Sequence, residues 1–207
     1  MLAETLQDFA IKYSDQIVRK ATGGNEQAFS KLMSLWYKRI YNFSYKYFLN
    51  HDTAMDVTQK TFISVHKSIR KLKDVTSFRP WLYRIALNKC HEEERRMKRR
   101  KWFSLFGANE DSQQGELWLE PPAEGPFYNP DQSVDNKELE ELVLECLSEL
   151  PEEQRILIIM KEYEGLKFRE IAVVLNISES TAKSRLYYGL KTMKLILEKK
   201  NFTYYGF

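Results

Sequence analysis

The chemistry most legible in this chain is recognition rather than bond-making. Within "SESTAKSRLYYGLK", residues 178–191, hydroxyls and cations crowd the start of one segment: Ser180, Thr181, Lys183, Ser184, Arg185 and Tyr187. Such groups donate to phosphate oxygens and to base edges when they sit near the start of a helix. A second basic run, "RRMKRRK" at 95–101, can hold further phosphates. Catalytic patterns do not survive inspection. "HEEER", residues 91–95, departs from the zinc-protease "HExxH" at its last position, where Arg95 replaces the second histidine. His51 and His66 lack cysteine or histidine neighbours at ligand spacing. No Gly-rich phosphate loop and no nucleophile elbow occur. No catalytic residue, metal or cofactor is therefore expected.

Charge is distributed to match. The net charge is +3, but residues 1–101 carry 21 Lys/Arg against 10 Asp/Glu, and 165–207 carry 8 against 3. Residues 102–136 hold no basic residue and 7 acidic ones, and 137–164 hold 3 against 9. Two basic blocks separated by acid suggest two polyanion-facing surfaces, although solvated helix faces produce uneven charge as well. No apolar run approaches membrane-spanning length, and "MLAETLQDFAIKYSDQ" does not read as a secretion signal. Two cysteines, Cys90 and Cys146, offer no disulfide framework or metal quartet, so a reducing cytoplasm is the expected location.

The elements that must position these groups read as helices. Phe29, Leu32, Leu35/Trp36, Ile40, Phe43 and Tyr47 recur at three-to-four spacing, and Met55, Phe62, Val65 and Ile69 continue the pattern. "RKLKDVT" reads as a loop. "SFRPWLYRIALNKCHEEERRMKRRK" then opens with Ser77 as a cap and Pro80 in the first turn, with Trp81, Leu82 and Ile85 facing a core. Residues 102–136 contain four prolines and no period, so they read as an extended linker too long to be a loop of one domain. Helical signals return with Leu139, Leu142/Val143, Cys146 and Leu150, then with Pro151 at a helix start that Gly165 brings to an end. With no alternating strand pattern, the fold class is all-α: two small helical domains, 14–101 and 137–197, joined by the linker 102–136.

"EIAVVLNISESTAKSRL", residues 170–186, fits a helix-turn-helix. Phe168, Ile171, Ala172 and Leu175 face inward on the first helix, and the small Ala172 admits its neighbour. Asn176 suits the left-handed turn, Ile177 plugs the gap, and Ser178 caps the second helix. Ala182, Leu186, Leu190 and Met193 form that helix's buried stripe, leaving Lys183, Tyr187, Lys191 and Lys194 on another face. A helical hairpin with a solvated basic face is the plainer alternative.

Three motifs in order give this reading a context. "GGNEQAF" (23–29), "DVTQKTF" (56–62) and "FRPWLYRIALN" (78–88), followed by the helix-turn-helix, resemble the sigma-70 family of bacterial transcription initiation factors. The likeness is to its extracytoplasmic function group, which has a region 2 helical bundle and a region 4 helix-turn-helix on either side of a linker. It implies a chain that binds core RNA polymerase, reads promoter DNA at −35 and −10, and opens the start site. Asp56, Gln59 and Phe62 match the polymerase-binding motif, and Lys60, implied at the same surface, departs from it by standing where an acidic residue is usual. The resemblance places the loop that flips a non-template base at 71–76, where Leu72, Lys73 and Asp74 replace the common Phe-Arg-Gly. Flipping costs a few kcal/mol of unstacking, which stacking and base-edge hydrogen bonds must offset.

Asn88 corresponds to the promoter-contacting asparagine, an amide able to donate and accept at one base edge. Arg79, Arg84, Arg95, Arg96, Arg99 and Arg100 would hold phosphates. At −35 the matching residues are Ser180, Thr181, Lys183, Ser184, Arg185 and Tyr187. Tyr188 and Leu190 stand where arginines are common, which implies weak phosphate anchoring and a dependence on polymerase to hold this domain in place. The acidic linker would thread the polymerase cleft in imitation of RNA, and an anti-sigma factor is an implied partner. A helix-turn-helix regulator acting without polymerase, and a protein-binding adaptor, are the competing readings. The "DVTQKTF" and "FRPWLYRIALN" pair separates the first reading from both.

Overall fold

A computed structural model describes residues 15–106 and 134–200. Its described elements are helical: α1 over 15–22, α2 Glu26–Phe48, α3 His51–Ser68, α4 Phe78–Phe106, α5 Val134–Glu149, α6 Glu152–Ile158, α7 Phe168–Leu175 and α8 Glu179–Lys199. No strand occurs among the described residues. The stretch read as linker is helical at both ends, since α4 runs on to Phe106 and α5 begins at Val134. Residues 107–133, which hold most of the acidic strip, and the tail from 201 lie outside the described residues. The chain divides into two compact units: the first holds α1, α2 as far as Tyr41, α3 from Met55 and α4, and the second holds Asn42–Ala54, the corner between α2 and α3, with α5 to α8.

From α1 to α4, local chemistry sets each corner. Gly24 takes a φ of 89°, a region that costs glycine little, and reverses the chain between α1 and α2. Asn25 then caps α2 by accepting the Ala28 N–H at 2.8 Å. Leu49 adopts a left-handed φ of 51°, and Asn50 caps α3 through the Thr53 N–H at 2.9 Å. The α2 stripe buries Phe29, Leu32, Trp36, Ile40, Phe43 and Tyr47. Leu35 turns outward, as does Met55 on α3, where Ala54 and Val57 take the inward positions. On α4, Phe78, Leu82, Tyr83, Ala86 and Cys90 are buried, while Trp81 and Ile85 are half-buried. Burying a large apolar side chain is worth about 1.5–3 kcal/mol, so this stripe holds α4 far more firmly than its surface charges do.

In the second unit, Leu147, Leu150 and Ile158 form a core against which Val143, Leu144, Leu186, Met193 and Ile196 pack. Pro151 precedes α6 with Glu152 and Glu153 in its first turn, where carboxylates suit the helix dipole. A turn of π-helix, Ile159–Tyr163, follows α6, and Gly165 at φ 62° ends it. Asn176 occupies the left-handed region at φ 53°, ψ 48°, and the Ser178 hydroxyl accepts the Thr181 N–H at 3.0 Å. The turn chemistry expected of the helix-turn-helix is therefore present.

One expectation for α8 requires correction. Leu190 is 45% exposed, and the inward position belongs to Gly189. A β-carbon on Gly189 would stand 3.1 Å from Ile158 Cδ1 and 3.2 Å from Gln154 Cβ. A glycine inside a helix costs about 1 kcal/mol relative to alanine, and here it is explained by the close approach of α6 to α8. The real stripe runs Ala182, Leu186, Gly189, Met193 and Ile196, and on α7 Val174 is buried where Leu175 is only half-buried.

Candidate nucleic-acid interface

The long helix α4 gathers one set of predicted residues on a single exposed face. Arg84, Asn88 and Arg95 are separated by four and seven positions, one and two helical turns, and all three are exposed. Arg99 and Arg100 are exposed further along. Arg79, in the first turn, is half-buried. Arg96 does not join the face: its guanidinium binds Glu93 at 2.9 Å, which draws it toward the body of the unit.

The loop ahead of α4 is more ordered than its sequence suggests. Two single 3₁₀ turns, Ile69–Lys71 and Val75–Ser77, flank Leu72, Lys73 and Asp74. Asp74 organises the second turn. Its carboxylate accepts the Thr76 N–H at 3.0 Å, the Thr76 hydroxyl at 2.8 Å and the Ser77 hydroxyl at 2.7 Å. The Ser77 and Thr76 hydrogen bonds hold this carboxyl below the ordinary aspartate range, with a smaller contribution from the Arg19 charge. Leu72 is half-buried in extended backbone, while Lys73 is exposed. The replaced Phe-Arg-Gly is thus a loop tied down by an Asx-type cap, which Asp74 followed by Thr and Ser could have signalled.

The motif on α3 separates into roles. Asp56 is exposed and Gln59 half-exposed, so both face a potential partner. Phe62, grouped with them in the sequence, is 2% exposed and stacks on Tyr37 with ring centroids 6.0 Å apart. It holds the helix from beneath and offers a partner no surface, because phenyl rings gain most by burial. Lys60 turns toward α4, its ammonium 3.3 Å from Glu93 Oε2. Glu93 is a buried carboxylate that receives both Lys60 and Arg96. The departure at Lys60 is therefore answered 33 positions along the chain, by a glutamate that in the sequence looks like one more solvated charge of "HEEER".

On α8, Ser180, Lys183, Ser184 and Tyr187 are exposed, and Thr181 is half-buried beside the cap. Ser178, Ser180 and Thr181 form a hydroxyl cluster, with oxygen separations of 2.7 and 2.8 Å. Lys183 reaches back over the Phe168 ring at 5.7 Å. Arg185 is not presented like its neighbours, since it binds Glu153 of α6 at 2.9 Å. Tyr187 and Tyr188, 66% and 58% exposed, meet edge to face at 5.6 Å. Tyr188 falls outside the residues expected to touch DNA, although an exposed aromatic one position from Tyr187 is visible in the sequence.

Comparison with known proteins shows the family. Residues 32–101 match the model of "Sigma-70 region 2", and residues 140–193 match that of "Sigma-70, region 4". The RNA polymerase sigma-H factor of Pseudomonas aeruginosa is 26% identical over 183 residues, covering 88% of this chain and 93% of the relative. The ECF RNA polymerase sigma-E factor of Haemophilus influenzae is 28% identical over 188 residues, covering 90% and 93%. Among solved structures, the sigma factor RpoE of Bartonella quintana, crystallised with the anti-sigma factor NepR, superposes with a TM-score of 0.62 at 20% identity. That match covers 82% of this chain and 96% of the other, and it supports the fold.

Proposed function

Because the chain belongs to the sigma-70 family, and within it to the extracytoplasmic function type, we propose that it binds core RNA polymerase and directs promoter-specific initiation. The observation that carries this reading is that two separate exposed surfaces, each with the cations, amides or hydroxyls that suit nucleic acid, lie on one chain. One is the Arg84, Asn88 and Arg95 face beside a capped loop, and the other is the hydroxyl-rich start of α8. The first would take the −10 element. Asn88 reads a base edge, Leu72 and Lys73 border the flipped base, and Arg79, Arg84 and Arg95 hold phosphates. The second would take the −35 element through Ser180, Thr181, Lys183, Ser184 and Tyr187, with Arg185 joining once it leaves Glu153. Asp56 and Gln59 would face polymerase, while Lys60 and Phe62 keep α3 in place for that contact.

The domains proposed are region 2 over 14–101, a linker over 102–136 and region 4 over 137–197. The acidic linker would follow basic channels of the polymerase. We assign the chain no catalysis of its own, since polymerisation belongs to the partner. Work in the cytoplasm fits a chain in which, among the described residues, no helix is long and apolar enough to cross a membrane. An anti-sigma factor, the kind of protein bound to the Bartonella relative, is proposed as a further partner.

The test is a titration of the full-length protein against core polymerase. Saturable binding at or below about micromolar concentration is expected, together with run-off transcripts that neither component makes alone. A folded protein that fails to bind core at that concentration contradicts the proposal. A helix-turn-helix regulator would instead bind its sites without polymerase.

A further inference from the structure

We infer that a cleft between the α1–α2 turn and the last turn of α3 is a second nucleotide subsite of the first unit, taking one nucleotide of single-stranded promoter DNA beside the one handled by the 71–76 loop. This inference rests on the proposed role in initiation. The cleft has a volume of about 310 Å³. That is the lower end of small-molecule sites, which run about 300–1,000 Å³, and it suits a single nucleotide rather than a duplex.

The walls carry the two halves of nucleotide recognition. On one side the His66 ring meets Phe29 edge to face, with centroids 4.8 Å apart. Glu26 Oε2 lies 3.4 Å from His66 Nε2 and steadies that ring. Bases extruded from a strand stack on rings of this kind and on guanidinium planes. On the other side is the Arg70 guanidinium. A β-carbon on Gly24 would come within 3.1 Å of Arg70 Nη2, so glycine both makes the turn and leaves room for the guanidinium to lie across it. Lys67 is exposed on the same rim. A guanidinium and an ammonium so placed suit a phosphodiester. Glu26 adds an acceptor for an exocyclic amine.

Position supplies the rest of the argument. Ile69 and Arg70 line the cleft, and the 3₁₀ turn they begin, Ile69–Lys71, leads directly into Leu72, Lys73 and Asp74. Arg19, on the helix that ends at the cleft, is near enough to act electrostatically on Asp74. A strand entering the loop therefore meets the cleft within the reach of adjacent nucleotides, along a path carrying Arg19, Arg70, Lys71 and Lys73. An acidic peptide would satisfy the cations but would leave the ring wall unused.

The experiment uses the full-length protein bound to core polymerase. Affinity is measured for a fork promoter, single-stranded through the −10 region, across a salt series. Arg70→Ala should weaken fork binding about tenfold, in line with the removal of one stacking and phosphate interaction. Lys67→Ala with Arg70→Ala should flatten the salt slope by up to about 0.7 for each phosphate no longer held. Core binding and duplex binding should be unchanged, and Arg70→Lys should recover the slope but not the whole affinity. A folded double variant that matches wild type in fork affinity and slope overturns the inference. Loss of core binding in Arg70→Ala overturns it in favour of a polymerase-facing role for Arg70.

In a second arm, deoxyadenosine monophosphate and inorganic phosphate are titrated against the same proteins. Saturable binding that depends on Arg70, with fork affinity indifferent to Arg70, assigns the cleft to a free nucleotide and overturns the promoter-strand source. Failure of the wild-type protein to bind core would sink the proposed function. A wild type that initiates normally beside an indistinguishable double variant would sink the subsite alone.

Discussion

Each unit ties a cation on one helix to a carboxylate on another, but in opposite surroundings. In the first, the Lys60 and Glu93 side chains are 20% and 8% exposed, and Arg96 completes the set. In the second, Arg185 and Glu153 are 31% and 69% exposed. A buried carboxylate deprived of its partners is costly, whereas an exposed pair is screened by water and contributes about 0–1 kcal/mol. The first pair is therefore structural and fixes α3 against α4, between the proposed polymerase and −10 surfaces. The second can open, which would free Arg185 for the proposed −35 contact.

The largest effect expected from this contrast is that of Glu93→Ala. It should destabilise the protein by about 3 kcal/mol, the low end for removing one partner from a buried pair, because Lys60 can still reach solvent. Denaturant unfolding measures it, and a loss no greater than that of Glu153→Ala would erase the distinction. Next, Gly189→Leu should cost about 2 kcal/mol by overpacking α6 against α8. A neutral result in thermal melting would mean that close helix approach is not what stabilises the second unit. Ser178→Ala, which removes the α8 cap, should cost about 1 kcal/mol in the same measurement.

The smallest stability change belongs to Glu153→Ala, expected at or below about 0.5 kcal/mol. Its informative readout is DNA. Freed from Glu153, Arg185 should tighten −35 binding and steepen the salt slope by up to about 0.9, the increment for one more phosphate neutralised on duplex. An unchanged slope would keep Arg185 off the DNA.

Much of this is readable residue by residue where the physics is local. Asn176 and Ser178 announce the turn and cap of the helix-turn-helix, since a left-handed residue followed by a hydroxyl has few other uses. The α2 stripe is legible because six large side chains repeat at helical spacing. Periodicity fails where two adjacent positions satisfy it. Leu190 and Gly189 both continue the α8 stripe, and a hydrophobicity pattern cannot see that the inward face needs the absence of a side chain. Met55 misleads for the same reason, with Ala54 taking the buried position. The site is less legible than the fold. Motif spacing groups Phe62 and Lys60 with Asp56 and Gln59, but which of them faces outward depends on Tyr37 and Glu93, residues far along the chain.

On the proposed function, the two surfaces act together on promoters while the chain is bound to core polymerase. Run-off transcription from a genomic library, with wild-type protein and Asn88→Ala, tests it most directly. The expected result is a limited set of start sites sharing −35 and −10 elements, with the −10 preference relaxed in Asn88→Ala and the −35 preference retained. Start sites without shared elements, or the same sites bound equally well by the chain without polymerase, would contradict it.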